Sequence, residues 1–215
     1  MSAAGPGPRG AATGRRLAGG AVRAAYRARA LGAWRVPPAG PVILAVNHTH
    51  NVDGPLLMGL APRPVHFLIK REAFVGPLGA FLRGIGQIGI DRHAADRPAV
   101  LAALGVLERG GALGIFPEGT RTAGDFAAIR TGLAYFALRS GASIVPVAIF
   151  GSERPGRLIR ALPPLRGRVD VVFGDPFAVG APGGRRTRAA LDGATARVQE
   201  RLAAHVKDAR RFTGR

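Results

Sequence analysis

The sequence predicts a single α/β domain whose central, mostly parallel or mixed sheet is flanked by helices, preceded by a basic amphipathic helix. Three observations carry this. Apolar runs rich in β-branched residues recur at 42–46, 65–69, 143–150 and 169–173, each of strand length. Between them lie stretches with helical spacing, clearest at Val100, Leu101, Leu104 and Leu107. Strands alternating with helices build α/β domains, and 215 residues are enough for one substantial core. No internal repeat or second domain is visible.

Taken in order, residues 1–14 are largely Gly, Ala and Pro and read as a disordered tail. Residues 15–35 form the next unit. Leu17, Ala18, Ala21, Val22, Ala25 and Tyr26 share one side of a helix running to about Leu31, and Arg16, Arg23 and Arg27 another. Such a helix can lie on an anionic membrane or pack its small apolar face on the domain. Trp34 can anchor at an interface or pack. The folded domain spans 36–215 and opens with the breaker Val36-Pro37-Pro38. The strand 42–46 leads to a turn and a short helix over about 55–60; 65–69 is a second strand. A short helix covers 77–83, a strand 87–90 and a helix 96–109, ended by Gly110-Gly111. A strand over 112–116 and a helix over 127–140 follow. Pro146 gives the strand 143–150 an edge or irregular position. A basic, Pro-rich loop covers 154–168, then the strand 169–173 and a final helix over about 185–206.

Lys and Arg number 31 against 13 Asp and Glu, 31 − 13 = +18. That excess favours anionic partners, although arginine-rich, lysine-poor usage also reflects overall composition. Aromatic content of 6% and the lack of any binding motif argue against nucleic acid. With no cysteine, disulfides, thiolate metal sites and a cysteine nucleophile are excluded. None of the four serines sits in a Gly-x-Ser-x-Gly turn, which argues against a serine hydrolase. No apolar run reaches the roughly 20 residues of a membrane span, and no signal peptide is visible.

Polar, ionisable residues cluster where two predicted strands end, the place where open α/β sheets bind ligands. After the strand 42–46 comes Asn47-His48-Thr49-His50-Asn51-Val52-Asp53-Gly54. Histidine is the natural proton acceptor near neutral pH, and Asp53 can fix the imidazole of His48 and stabilise the imidazolium. Residues five apart on a regular helix point roughly 140° apart, so the two meet only across a turn. The alternative is a polar loop in which Asp53 caps the next helix. The second cluster is Pro117-Glu118-Gly119-Thr120-Arg121. Gly119 admits a ligand to the backbone, Thr120 offers a hydroxyl, and Arg121 a fork suited to phosphate. Glu118 can accept a hydroxyl or hold Arg121. The alternative is a surface turn with a local ion pair. Arg92 is a second candidate phosphate contact, or simply exposed. His50 reads as a loop residue, His66 as packed, and His93 and His205 as surface residues. No set of residues has metal-ligand spacing.

Together these pieces resemble the glycerolipid acyltransferase superfamily, most closely the lysophosphatidic acid acyltransferases. Asn47 to Asp53 matches Asn-His-x-Ser-x-x-Asp, with His50 in place of serine. Gly86 to Arg92 matches a Gly-x-Ile-x-Ile-Asp-Arg run, Phe116 to Arg121 is an intact Phe-Pro-Glu-Gly-Thr-Arg, and Val145 to Ala148 matches Val-Pro-Val-Ala. The likeness covers about 41–150; Thr122 and Arg130 are mild departures. It implies that His48 and Asp53 form a catalytic dyad, His48 deprotonating an acceptor hydroxyl that attacks an acyl thioester directly. It implies that Arg92, Glu118, Gly119, Thr120 and Arg121 hold the glycerol phosphate of lysophosphatidate. No cofactor beyond the donor substrate, acyl-CoA or acyl carrier protein, is implied. The protein is expected to sit peripherally on an anionic membrane, at the cytoplasmic face of the cell membrane. Other lysophospholipids, glycerol phosphate or a glycolipid are alternative acceptors, and an inactive homologue that binds anionic lipid is the non-enzymatic alternative.

Overall fold

A computed structural model describes residues 5–91, 96–121, 123–152, 163–180 and 187–215. The expected α/β domain forms around a seven-stranded sheet. The elements are α1 (Pro8–Ala25), β1 (Arg27–Leu31), β2 (Val42–Val46), α2 (Asp53–Leu60), β3 (Val65–Lys70), α3 (Gly76–Gly84) and β4 (Ile88–Ile90). They continue with α4 (Arg97–Glu108), β5 (Ala112–Ile115), α5 (Gly132–Ser140), β6 (Ser143–Phe150), β7 (Arg168–Phe173) and α6 (Arg188–Thr213).

The strand order is β1-β7-β6-β2-β5-β3-β4. β6, β2, β5, β3 and β4 run parallel. β7 is antiparallel to β6 and parallel to β1. The carboxyl ends of the parallel strands and the starts of β1 and β7 therefore share one rim. All five residues of β2 are buried, as expected of a strand covered on both faces. Alternation assigns Ile43 and Ala45 to the layer of α4, α5 and α6, and Val42, Leu44 and Val46 to that of α1 and α2.

The N-terminal expectation needs correction. The helix starts at Pro8, not Arg15, and ends at Ala25. Only residues 1–4 of the expected tail lie outside the described residues. Residues 27–31 are a sheet-edge strand, whose exposed arginines mimic a polar helix face. Between packing and membrane contact, α1 packs its small-residue face. A Cβ on Gly59 of α2 would lie 2.8 Å from the backbone of Ala18 and Gly19, so the two backbones nearly touch. Gly59→Val should wedge them apart and lower stability by about 1–3 kcal/mol, read as the shift in a denaturant unfolding curve.

Three further differences have local causes. Pro146 lies in an internal strand between β2 and β7, so the edge expectation fails while the irregular one holds. β7 pairing stops at Val147 opposite Phe173, Gly174 donates to the Pro146 carbonyl at 2.8 Å, and pairing resumes at Ile144 opposite Phe177; the missing N–H is never needed. α5 starts at Gly132 rather than Ala127, because the preceding loop is drawn back by the Arg130 amide donating to the Pro117 carbonyl at 2.8 Å. α6 continues past Val206 to Thr213, burying Ala209 and Thr213 one and two turns on. His205 is half-buried, not superficial, with Nε2 3.0 Å from the Val172 carbonyl. His66 is packed as expected, Nδ1 2.7 Å from the Gly86 carbonyl. His93 and most of the expected loop 154–168 lie outside the described residues.

A charged knot fastens the ends of the fold. The buried Asp170 of β7 accepts from Arg29 Nε at 2.5 Å and Arg168 Nε at 3.0 Å, with Arg215 Nε at 3.7 Å. Burial pushes this carboxyl up, but hydrogen bonds and charge from Arg29 and Arg168 outweigh it and hold it below the ordinary carboxylate range.

Candidate active site

The chain leaves the sheet at Asn47, whose side chain replaces the next rung of the ladder. Asn47 Nδ2 donates to the Ile149 carbonyl at 3.1 Å, and Oδ1 accepts from the Ile149 amide at 2.7 Å. The backbone is thus pinned while it turns, and His48 emerges at the rim. Asn47→Ala would leave both groups of Ile149 buried and unpaired, and should cost about 2–4 kcal/mol of stability in chemical denaturation.

The turn that brings His48 to Asp53 is closed by the Asp53 amide donating to the His50 carbonyl at 3.2 Å. One carboxylate oxygen then organises the whole loop. Asp53 Oδ2 lies 3.1 Å from His48 Nδ1 and accepts from the amides of Thr49 at 2.9 Å and His50 at 2.7 Å. Asp53 is fully buried, and its Oδ1 has no hydrogen-bond partner among the described residues. The helix-capping alternative fails, since Val52 is the N-cap of α2 and no side chain caps it. A carboxylate facing Nδ1 places the imidazole proton there, leaving Nε2 as the lone-pair nitrogen. The Phe116 ring lies against the imidazole, centroids 4.3 Å apart at 34°.

The second cluster joins this loop, but not all its members act as expected. Glu118, 9% exposed, accepts from the His48 amide at 3.1 Å and the Phe126 amide at 3.2 Å. Its carboxylate thus clamps the backbone of the two loops together, a role added to the expected contact with substrate. Gly119 adopts φ +74°, and a Cβ there would lie 2.4 Å from Arg130 Nε, so a side chain would be strained and would have to displace Arg130. Thr120 is exposed. Arg121 is exposed and donates through Nη1 to Asn51 Oδ1, which ties it to the His48 loop. Arg92 lies outside the described residues. His50 is buried, its Nδ1 facing the Val52 amide at 3.4 Å, and thus belongs to the loop's own framework.

Several residues of the site have roles that the sequence does not announce. Asn47 and Phe116 are marked only as the first residues of two matched blocks, and Asn51 only as a turn former. Gly124, φ +69°, sits so close that a Cβ would lie 2.6 Å from Thr49 Cγ2 and 3.0 Å from Asn47 Nδ2. Phe126 holds φ +58°, unusual for a bulky residue, with its ring buried and its amide on Glu118. Beside the dyad, a largely apolar cavity of about 220 Å³ is lined by Leu68, Ile90, Ile115, Phe116, Leu133 and Phe136, with Asp91, Gly119 and Arg130 also on its wall. Phe116 is common to both. Among the described residues no group of three or more His, Cys, Asp or Glu could hold a metal ion.

Comparison with known proteins bears on this arrangement. Residues 27–150 match a protein-family model described as Acyltransferase. A "1-acyl-sn-glycerol-3-phosphate acyltransferase" of Bacillus subtilis (strain 168) is 28% identical over 144 residues, covering 66% of this chain and 69% of that protein. A "Lyso-ornithine lipid O-acyltransferase" of Pseudomonas aeruginosa is 38% identical over 117 residues, 52% of this chain and 44% of that one. Against a second 1-acyl-sn-glycerol-3-phosphate acyltransferase, from Borreliella burgdorferi, identity is 30% over 126 residues, 57% of this chain and 50% of that one. The chain thus spans half or less of the latter two relatives. In fold it is similar to the crystal structure of the 1-acyl-sn-glycerophosphate (LPA) acyltransferase PlsC of Thermotoga maritima, with TM-score 0.66 and 20% identity over 94% of this chain and 78% of that one.

Proposed function

Since the chain belongs to the acyltransferase family and is therefore an O-acyltransferase, we propose that it moves a fatty acyl group from acyl-CoA or acyl carrier protein to the free hydroxyl of lysophosphatidate in phospholipid synthesis. The observation that carries this reading is Asp53 Oδ2 at 3.1 Å from His48 Nδ1 with Nε2 left to the rim. His48 Nε2 takes the hydroxyl proton as the oxygen attacks the thioester carbonyl. The charge gained by the imidazole is balanced by Asp53. The tetrahedral intermediate collapses, the carbon–sulfur bond breaks, and the imidazolium returns its proton to the leaving thiolate. No residue is acylated, in keeping with a chain that lacks cysteine.

Arg121, with Gly119 and Thr120, faces the acceptor phosphate, and Arg92 is assigned there by the family pattern. Glu118 acts behind them by fixing the loops. The acyl chain takes the apolar cavity, which shares Phe116 with the dyad. Membrane contact belongs to α3 rather than α1. Val75, just before α3, and Leu78 and Phe81 within it are exposed, as is Arg83, an apolar patch with a basic residue suited to an anionic surface. No described helix is long and apolar enough to cross a membrane.

A second acceptor is favoured by one observation. His50 is buried where the family pattern has serine, and a relative 38% identical is named for a lyso-ornithine lipid. A donor-by-acceptor activity matrix, using both thioester types with lysophosphatidate, lyso-ornithine lipid and glycerol phosphate, tests the assignment. Preferred turnover of lysophosphatidate supports it, and turnover confined to another acceptor replaces it.

A further inference from the structure

A second concave feature lies on the same rim, built mostly on α6 beyond the residues that match the family model, with Asp125 inside them. It is a groove of about 370 Å³, within the about 300–1,000 Å³ usual for small-molecule sites. Lys207, Arg210, Arg211 and Arg215 line it with Asp125, over a floor that includes Val206. The lining charge is 4 − 1 = +3. Arg211 lies 3.7 Å from Asp208, and Arg215 3.7 Å from Asp170. Arg210 rests over the Phe150 ring at 5.8 Å, and no carboxylate among the described residues pairs with it or Lys207.

Two sets of contacts fix the groove beside the dyad. The end of α6 is bound to the start of β7. Arg168 Nη2 donates to the Thr213 carbonyl at 2.6 Å and Arg215 Nη2 to the Arg168 carbonyl at 2.8 Å. The start of β7 is at the rim because that strand runs against β6. On the opposite wall, Asp125 stands between Gly124, which packs on Thr49 and Asn47, and Phe126, whose amide binds the carboxylate that also holds the His48 amide.

We infer that this groove binds the phosphate-bearing nucleotide handle of the acyl donor, so that a coenzyme A thioester is held by its distal end while its acyl end reaches His48. The inference rests on the proposed acyl transfer and adds the donor's anchor to it. Four cations around a concavity suit phosphates, and the apolar floor offers a surface for a purine. A carrier protein instead presents a broad acidic surface, for which a concave site with Asp125 in its wall is a poor match.

The test has a binding arm and a kinetic arm on the full chain. Adenosine 3′,5′-bisphosphate, carrying neither pantetheine nor acyl group, is titrated calorimetrically at low salt against wild type, Lys207→Gln and the double variant Lys207→Glu/Arg211→Glu. Binding by wild type is expected, weaker by at least about tenfold in the double variant and by less in Lys207→Gln, as the loss of charge-assisted contacts requires. In the kinetic arm the double variant should raise KM for acyl-CoA by a similar factor. The lysolipid KM, turnover at saturating donor and the rate with acyl carrier protein should stay near wild type. Absence of bisphosphate binding, or an unchanged acyl-CoA KM, overturns the inference while leaving acyl transfer in place. A larger loss with the carrier protein than with acyl-CoA also overturns it and makes the groove a protein-docking surface. If wild type transfers no acyl group, the proposed function fails and the titration alone decides the groove.

Discussion

His48→Ala is expected to lower turnover by about 10²–10⁴-fold, the range contributed by a positioned general base. The substitution removes the nitrogen proposed to take the acceptor proton while sparing the loop, because the contact with Glu118 runs through the His48 backbone amide. The three donors on Asp53 reduce to two, both backbone, so the turn keeps its closure. The loss should therefore appear equally in kcat and kcat/KM, with the lysolipid KM little changed, as for an interaction made in the transition state. Initial rates with a labelled thioester at saturating acceptor, beside a thermal unfolding curve, check both halves. Wild-type turnover by a folded alanine variant would remove the proposed base.

Asp53→Asn should reduce turnover by about 10²–10⁴-fold, as replacing the carboxylate of a proton-relay dyad does elsewhere. Here the reason is local. The amide oxygen can still accept from Thr49 and His50, so the fold survives. It can no longer balance the charge gained by the imidazole. The amide nitrogen would fall either at the buried position that has no partner or among three donors. Either way a moderate stability cost of about 1–3 kcal/mol follows. Measured well below the unfolding transition, the variant should be folded and nearly inactive. Activity tracking the lost folded fraction would make Asp53 a structural residue only.

Much of this arrangement can be read from the chain. β2 is legible as an uninterrupted β-branched run, and the loop after it because polar, ionisable residues follow abruptly. His48 and Asp53 are recognisable by type and spacing, provided the backbone turns, and the amide of Asp53 supplies that turn. Other parts depend on distant segments. The role of Glu118 is set by amides 70 residues before it and 8 after it, and nothing local distinguishes a carboxylate that clamps backbone from one that greets substrate. Residues 27–31 read as helix because β1, at the sheet edge, has neither a continuous apolar run nor clean alternation. Pro146 reads as an edge marker because the irregularity that excuses it lies on the neighbouring strand. Asn47 is marked by the family block alone, and its pairing with Ile149 shows only in the folded chain.

The clamp made by Glu118 constrains how such a site can change over generations. Two segments far apart in the gene are joined at Glu118 by main-chain groups that every amino acid except proline possesses, beside the side-chain contact of Arg121 with Asn51. Diversity is therefore expected first in the exposed side chains at 51, 120 and 121, while Thr49 is held by the Ser152 hydroxyl at 3.2 Å. Drift in loop length on either side would detach the pair. New acceptor preferences should arise by point replacement on a fixed frame rather than by insertion, so a library aimed at altering selectivity should vary those three exposed positions and leave loop lengths untouched.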